Sequence, residues 1–313
     1  MGRYVIRRLI QAIPVLLGTT LLIFALVFAL PGDPIQALAG EKRADPNVAA
    51  ILREKYHLND PLLVQYGYYI GGLFRGDFGT TFNGVPVADM MAGRFQVTLN
   101  LALVALVIEA VLGIGLGCWA ALRRGRFADS GILVTTLVLI SIPTMVMGFV
   151  LQLVLGVKIK TEYGLDLFPV SGVGDGFRSY LLPGLVLAGV SVAYLTRLTR
   201  TSLVETLRAD YVRTAVAKGL PRRRVVGRHA LRNALIPVIT FIGADLGGLM
   251  GGAVITERIF NLPGIGNQLA ESVKLGERTV VVGVVTALVL IYLLANLVVD
   301  LMYAVLDPRI RYD

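Results

Sequence analysis

The sequence predicts an all-α, polytopic membrane protein with six transmembrane helices, and three observations predict it. Of 313 residues, 55% are hydrophobic and only 16% are Asp, Glu, Lys or Arg, against about 25% charge in soluble chains. Mean hydropathy is +0.72. Six apolar stretches each approach or exceed the ~20 residues with which a helix crosses ~30 Å of hydrocarbon. They are Leu9–Leu30, Val97–Leu122, Gly131–Val157, Tyr180–Thr196, Leu235–Thr256 and Val280–Leu306. A soluble fold of this size has nowhere to hide so much apolar surface, so lipid is the expected solvent. No low-complexity linker or internal repeat divides the chain, and residues 1–313 read as one membrane domain. The lone cysteine, Cys118, excludes an internal disulfide framework.

The first stretch follows Arg3, Arg7 and Arg8, and Ala37-Leu38-Ala39-Gly40 looks like a signal cleavage site. Its apolar run is longer than a 7–15-residue signal core, so it reads as an anchor. An external loop follows over 31–96. Asp45-Pro46 and Asp60-Pro61 each offer an acidic cap with proline in the first turn. Behind them, Val48, Ile51 and Leu52, then Leu62, Leu63, Tyr66, Tyr69, Ile70 and Phe74, recur at helical spacing. Two helices lying on the membrane surface or against the bundle are expected, with tyrosines suited to the interface. The loop is either a stiffening cap or a substrate contact.

Between spans four and five lies a long polar loop, 197–233. From Ser202 to Gly219 its apolar residues keep near-helical spacing, and Gly219 and Pro221 stop the helix. Small residues at Ala215, Ala217 and Gly219 leave a surface that another protein can approach closely. The arginine-rich segment Arg222–Asn233 follows, and the chain re-enters the membrane at Ala234-Leu235-Ile236-Pro237.

Orientation follows from the placement of Lys and Arg. With six spans, both termini, the loop between spans two and three, and loop 197–233 share one side. That side carries eighteen basic and five acidic residues, whereas the other carries twelve basic and thirteen acidic. The basic side is expected in the cytoplasm, with both termini inside. Anionic headgroups account for such a charge pattern beside spans better than nucleic acid does, and no nucleic-acid partner is expected.

No phosphate-cradling G-x-x-x-x-G-K-[ST], zinc spacing or nucleophile elbow is present. His57 and His229 fall on opposite sides of the membrane. No catalytic or metal site is therefore expected, and any ATP and magnesium would bind to other chains. Three acids fall inside spans: Glu109, Asp245 and Asp300. Intramembrane charge is costly and marks either internal pairing or a pathway. Asp245, with Gly247, Gly248 and Gly251 beside it, is the candidate translocation surface. The glycines equally permit close helix packing. The acids also leave open an ATP-independent secondary transporter.

Loop 197–233 resembles the EAA loop of permease subunits of bacterial ATP-binding-cassette importers. The match is to the dipeptide/oligopeptide branch: Asp210-Tyr211-Val212-Arg213-Thr214-Ala215, Ala217-Lys218-Gly219-Leu220, then Arg228-His229-Ala230-Leu231-Arg232-Asn233-Ala234. Arg213 and Thr214 stand where the generic pattern has Glu and Ala. Pro31-Gly32-Asp33-Pro34, Leu58-Asn59-Asp60-Pro61-Leu62 and Arg75-Gly76-Asp77-Phe78-Gly79 resemble the first external loop of the B-type permease. Glu257 through Gly266 and Leu306-Asp307-Pro308-Arg309-Ile310-Arg311 resemble its last external loop and C-terminus. The resemblance implies a type I importer permease in the cell membrane, forming half of a pathway for dipeptides or oligopeptides. Related branches carry nickel, glutathione or sugars. It also implies a second, C-type permease, two cytoplasmic ATPases and an extracytoplasmic binding protein as partners. Asp210, Tyr211, Arg213, Thr214, Ala215, Ala217, Lys218 and Gly219 would then form the ATPase-coupling loop.

Overall fold

The computed structural model describes residues 2–28, 46–55, 59–81 and 84–306. The Pro31–Pro34 motif, Asp45, His57 and the motif beyond Leu306 lie outside these residues, and the side chain of Asp300 is also outside the description. The described chain is helical, and its one β feature is an isolated bridge between Thr80 and Pro86.

The first span is α1, Gly2–Phe28. The two expected external helices are α2, Pro46–Lys55, and α3, Leu62–Leu73. At α3, Pro61 itself occupies the cap position and no side chain caps the helix, so Asp60 is not the expected carboxylate cap. Tyr66 and Tyr69 face the bundle. The Tyr66 hydroxyl donates to the Leu17 carbonyl at 2.9 Å, and that of Tyr69 donates to Thr286 at 2.7 Å. Burial pushes the Tyr69 hydroxyl up to about 12, so it stays a donor.

The second span is α4, Val87–Leu122, ten residues longer at its start than the apolar run suggested. Pro86 sets its beginning, and Val87 and Met91 are packed in a cluster with Ile265, Val280 and Val284. The third expected span is not one helix. It divides into α5, Phe127–Ser141, and α6, Thr144–Tyr163. Pro143 explains the break: it lacks an N–H, and its ring drives Ile142 to φ −85°, ψ 122°. Span four is α7, Arg178–Thr206, which continues ten residues past its expected end. After it come α8, Asp210–Ala217, and α9, Arg222–Ala234, which meets α10, Ile236–Ile259, at a 45° bend. The last two helices are α11, Ile265–Leu275, and α12, Arg278–Leu306. Among the described residues, five helices are long and apolar enough to cross a membrane, or six with the bent α9–α10 pair as one span.

The most extensive packing among the described helices is between α4 and α7. Glycine makes it possible: a Cβ on Gly117 would lie 2.6 Å from the Thr196 carbonyl oxygen, and one on Gly113 2.7 Å from Leu195. Such contact between backbones is how helices associate where lipid removes the hydrophobic drive. Around this pair α6 and α10 complete a core containing Leu101, Leu182, Val186 and Phe260. Large apolar side chains such as Leu26, Val107, Val111 and Leu153 point outward. That distribution suits a lipid solvent.

Candidate functional site

Two regions carry the residues singled out above. The first is the α8 end of the bundle. Ala209, in extended conformation, starts α8, and the helix ends in a Schellman motif. Leu220 N–H donates to the Ala215 carbonyl at 3.3 Å, Gly219 N–H donates to that of Val216 at 2.9 Å, and Gly219 has φ +72°. A side chain at Gly219 would be strained there. Val212 and Ala215 point inward, into a cluster with Ala121, Leu203, Val225, Ala230 and Ala234. Each buried Leu or Val there contributes ~1.5–3 kcal/mol. Ala215 therefore belongs to the packed face and not to the open one, contrary to its grouping with Ala217 and Gly219. The exposed face holds Asp210, Tyr211, Arg213, Thr214, Val216, Ala217, Lys218 and Gly219. The expected helix from Ser202 also divides, because a turn at Leu207–Ala209 separates the end of α7 from α8.

Polar links tie this end to the spans. The Asn233 amide donates to the Tyr211 hydroxyl at 2.9 Å, joining α9 to α8. The Ser202 hydroxyl donates to the Ala234 carbonyl at 2.8 Å, beside the α9–α10 bend. Asp129 at the start of α5 accepts Arg200 Nε at 2.6 Å and its terminal nitrogen at 2.8 Å. Those bonds from Arg200, supported by Gly125 N–H, hold the Asp129 carboxyl below its usual range. Packing and hydrogen bonds, and not a slack loop alone, thus join α8 to α7 and α9.

The second region is at mid-bundle. Asp245 Oδ2 accepts the Ser191 hydroxyl at 2.5 Å. Glu109, fully buried on α4, faces Asp245 and Ser191. Neither of its oxygens has a hydrogen-bond partner. Gly248 and Gly251 are exposed on α10, and nothing lies within 4 Å of a Cβ built on Gly251. Gly247 is buried, and a Cβ there would meet Tyr292 at 2.6 Å, so it serves packing against α12 and not an open surface. The in-span position of Glu109 was visible in the sequence, but its meeting with Asp245 was not. Ser191 gave no signal at all, being one hydroxyl in an apolar run.

A third cluster, at the α11 end, went unnoticed as a polar assembly. Glu257 is fully buried, and its Oε1 accepts the Thr98 hydroxyl at 2.5 Å. Its Oε2 accepts Asn267 N–H at 2.8 Å, while Thr98 accepts Ile265 N–H at 2.9 Å. A Cβ on Gly264 would fall on the Glu257 carboxyl. Glu257 thereby closes the start of α11 and locks it to α4.

Outward apolar faces, buried polar groups between the helices and several helices long enough to span define a multi-pass membrane protein. The chain belongs to the binding-protein-dependent transport system inner membrane component family, which matches residues 113–312. Residues 1–102 match the N-terminal membrane-component family of the same systems. It is similar to the glutathione transport system permease protein GsiC of Escherichia coli strain K12, 39% identical over 313 residues and the full length of both chains. The protein of that name from Salmonella typhi is 38% identical, again over both full lengths. The chain is a permease subunit of an ATP-binding-cassette importer of the inner membrane, a transport component and not itself a catalyst.

Proposed function

We propose that this permease forms half of a pathway for short peptides, glutathione among them, with a C-type permease as its other half. Two cytoplasmic ATPases bind the ATP and magnesium, an extracytoplasmic binding protein delivers cargo, and both termini face the cytoplasm. The charge asymmetry of the loops supports that orientation. The glutathione transport named for the two relatives and the peptide-branch motifs support the cargo class.

The exposed face of α8 is the ATPase docking surface, and the single observation that carries this is its construction. An eight-residue helix is packed on one side into the ends of α4, α7 and α9 and left open on the other. A partner seated there moves the packed side, which moves α7 and α10 and switches the cavity between its two openings. Ala217, exposed, is the position for the test, because Ala215 would disturb the cluster. Ala217→Trp is expected to leave insertion and permease pairing intact. In lipid, the assembled complex should lose the ATP hydrolysis that cargo-loaded binding protein stimulates, or lose its ATPase subunits. Normal stimulation in Ala217→Trp and in Val216→Arg would remove α8 as the coupling element. Uptake by the purified single subunit without ATP would overturn the importer reading for this chain.

A further inference from the structure

Between α1, α10 and α12 runs a groove of about 570 Å³, a size typical of sites that hold a small molecule. The helices α1 and α12 are antiparallel, since Arg278 at the start of α12 donates to the Phe28 carbonyl at the end of α1 at 3.3 Å. The lining runs from Arg8 to Leu16 on α1 and from Leu290 to Leu297 on α12, in both cases at the three- and four-residue spacing of one helix face. Ala244 of α10 also lines it. The polar lining gathers at one end, with Arg8 and Gln11 near the start of α1 and Asn296 level with them on α12. Every other lining residue is Leu, Ile, Val or Ala. Beyond Leu16 a different neighbour engages α1: the Tyr66 hydroxyl donates to the Leu17 carbonyl, and the Tyr66 ring meets that of Phe24 edge-on at 5.6 Å.

We infer that this groove binds an anionic phospholipid, with one acyl chain between α1 and α12 and the phosphate at Arg8. Depth is the first reason. Eight residues of helix, Arg8 to Leu16, rise ~12 Å, close to half of the ~30 Å hydrocarbon core. The groove therefore spans one leaflet from its polar edge inward, as an acyl chain does, whereas a packed partner helix would continue across both leaflets. Charge is the second. Arg8 is the one charged residue of the lining, and two of the five donors of a guanidinium suffice to grip a phosphate in bidentate fashion. An arginine near the end of a span lays its stem along apolar surface and reaches the headgroups. The Gln11 and Asn296 amides add donors at the same level. Access is the third, because Leu9, Ile13 and Leu294 at the rim are exposed and a lipid enters sideways from the bilayer. With both termini in the cytoplasm, as proposed above, the lipid belongs to the inner leaflet, but the site itself does not depend on that orientation.

The test is photocrosslinking of the assembled complex in phosphatidylcholine nanodiscs doped with one of two probe lipids. Both probes carry the same acyl chain with a diazirine at its middle, and they differ only in headgroup, phosphatidylglycerol or phosphatidylcholine. After irradiation, mass spectrometry of the peptides reads adducts at 13–16 and 290–294, each relative to adducts on the rest of the chain. The phosphatidylglycerol probe is expected to label the groove severalfold more than the phosphatidylcholine probe. Arg8→Gln should bring the two probes level, and Ala12→Trp, which fills the groove, should lower both there while adducts elsewhere persist. Equal labelling by the two probes in the unaltered complex would show that the Arg8 charge is spent within the protein, and would overturn the anionic assignment. Absence of groove adducts while the rest of the chain is labelled would mean that protein, such as the second permease, covers the groove, and would overturn the lipid itself. Survival of the phosphatidylglycerol preference in Arg8→Gln would overturn the placing of the phosphate. The headgroup comparison needs no variant, so it decides even if a substituted chain fails to assemble.

Discussion

Glu257 and Glu109 are equally buried and oppositely furnished. At the α11 end, Glu257 accepts a hydroxyl and a backbone N–H, and Thr98 passes the network on to Ile265. At mid-bundle, Glu109 has no hydrogen bond on either oxygen. The α8 end resembles the α11 end, with Asp129 fully engaged by Arg200 and Gly125. The bundle is therefore fastened at both ends by satisfied carboxylates and left unsatisfied between them. Burial alone does not make an acid a fastener. What matters is whether the protein supplies close donors. A carboxylate whose donors are built in holds helices together, and one without them does not.

The same substitution at both sites is the largest test of that difference. Glu257→Leu strands the Thr98 hydroxyl and Asn267 N–H, each at ~1–3 kcal/mol. Thermal unfolding of the purified permease in detergent should show a marked loss of stability. Glu109→Leu removes a buried group that has no partner, so stability should stay level or rise. Equal losses at the two positions would break the distinction.

A smaller effect is expected from added methyl groups. Gly264→Ala drives a Cβ into the Glu257 carboxyl and should destabilise by ~1–3 kcal/mol, the usual range for overpacking. Gly251→Ala, on the open mid-bundle face, meets nothing and should stay within ~0.5 kcal/mol. Parallel unfolding curves of the two variants make the comparison. A loss at Gly251 matching that at Gly264 would show that the mid-bundle face is packed after all.

The smallest effect concerns the fastened α8 end. Arg200 chiefly, with Gly125 N–H, lowers the folded-state pKa of Asp129. A depressed carboxyl pKa adds stability above the unfolded value of about 3.9, and that stability is lost as pH falls through the folded value. Unfolding temperature should decline as pH drops below about 4, with a shallower decline in Asp129→Asn. An identical slope in the variant would show that the pair contributes nothing through its charge.

Much of the architecture was legible in the sequence because lipid imposes simple rules. A span must be long and apolar, so helices near the six expected positions could be located without tertiary information. Gly219 and Pro221 announced the end of α8, since only particular residues adopt those conformations. Pro143 was equally available as a signal, but its apolar neighbours concealed the break between α5 and α6. The extensions of α4 and α7 were hidden for another reason: outside hydrocarbon a helix no longer needs an apolar run, and packing at the ends sustains it.

By itself, then, the sequence determined the helical membrane class, the approximate spans, the arginine-rich arm and the in-span acids. Each of these follows from local composition and chain stereochemistry. Only the tertiary structure decided which side of a helix each residue occupies relative to its neighbours. It turned Ala215 inward and Ala217 outward, and set Gly247 against Tyr292 while leaving Gly251 open. It brought Ser191 to Asp245 across 54 positions of chain and Thr98 to Glu257 across 159. The physical reason is that hydrogen bonds and steric exclusion act over a few ångströms in space, and separation along the chain carries no record of them until the helices pack.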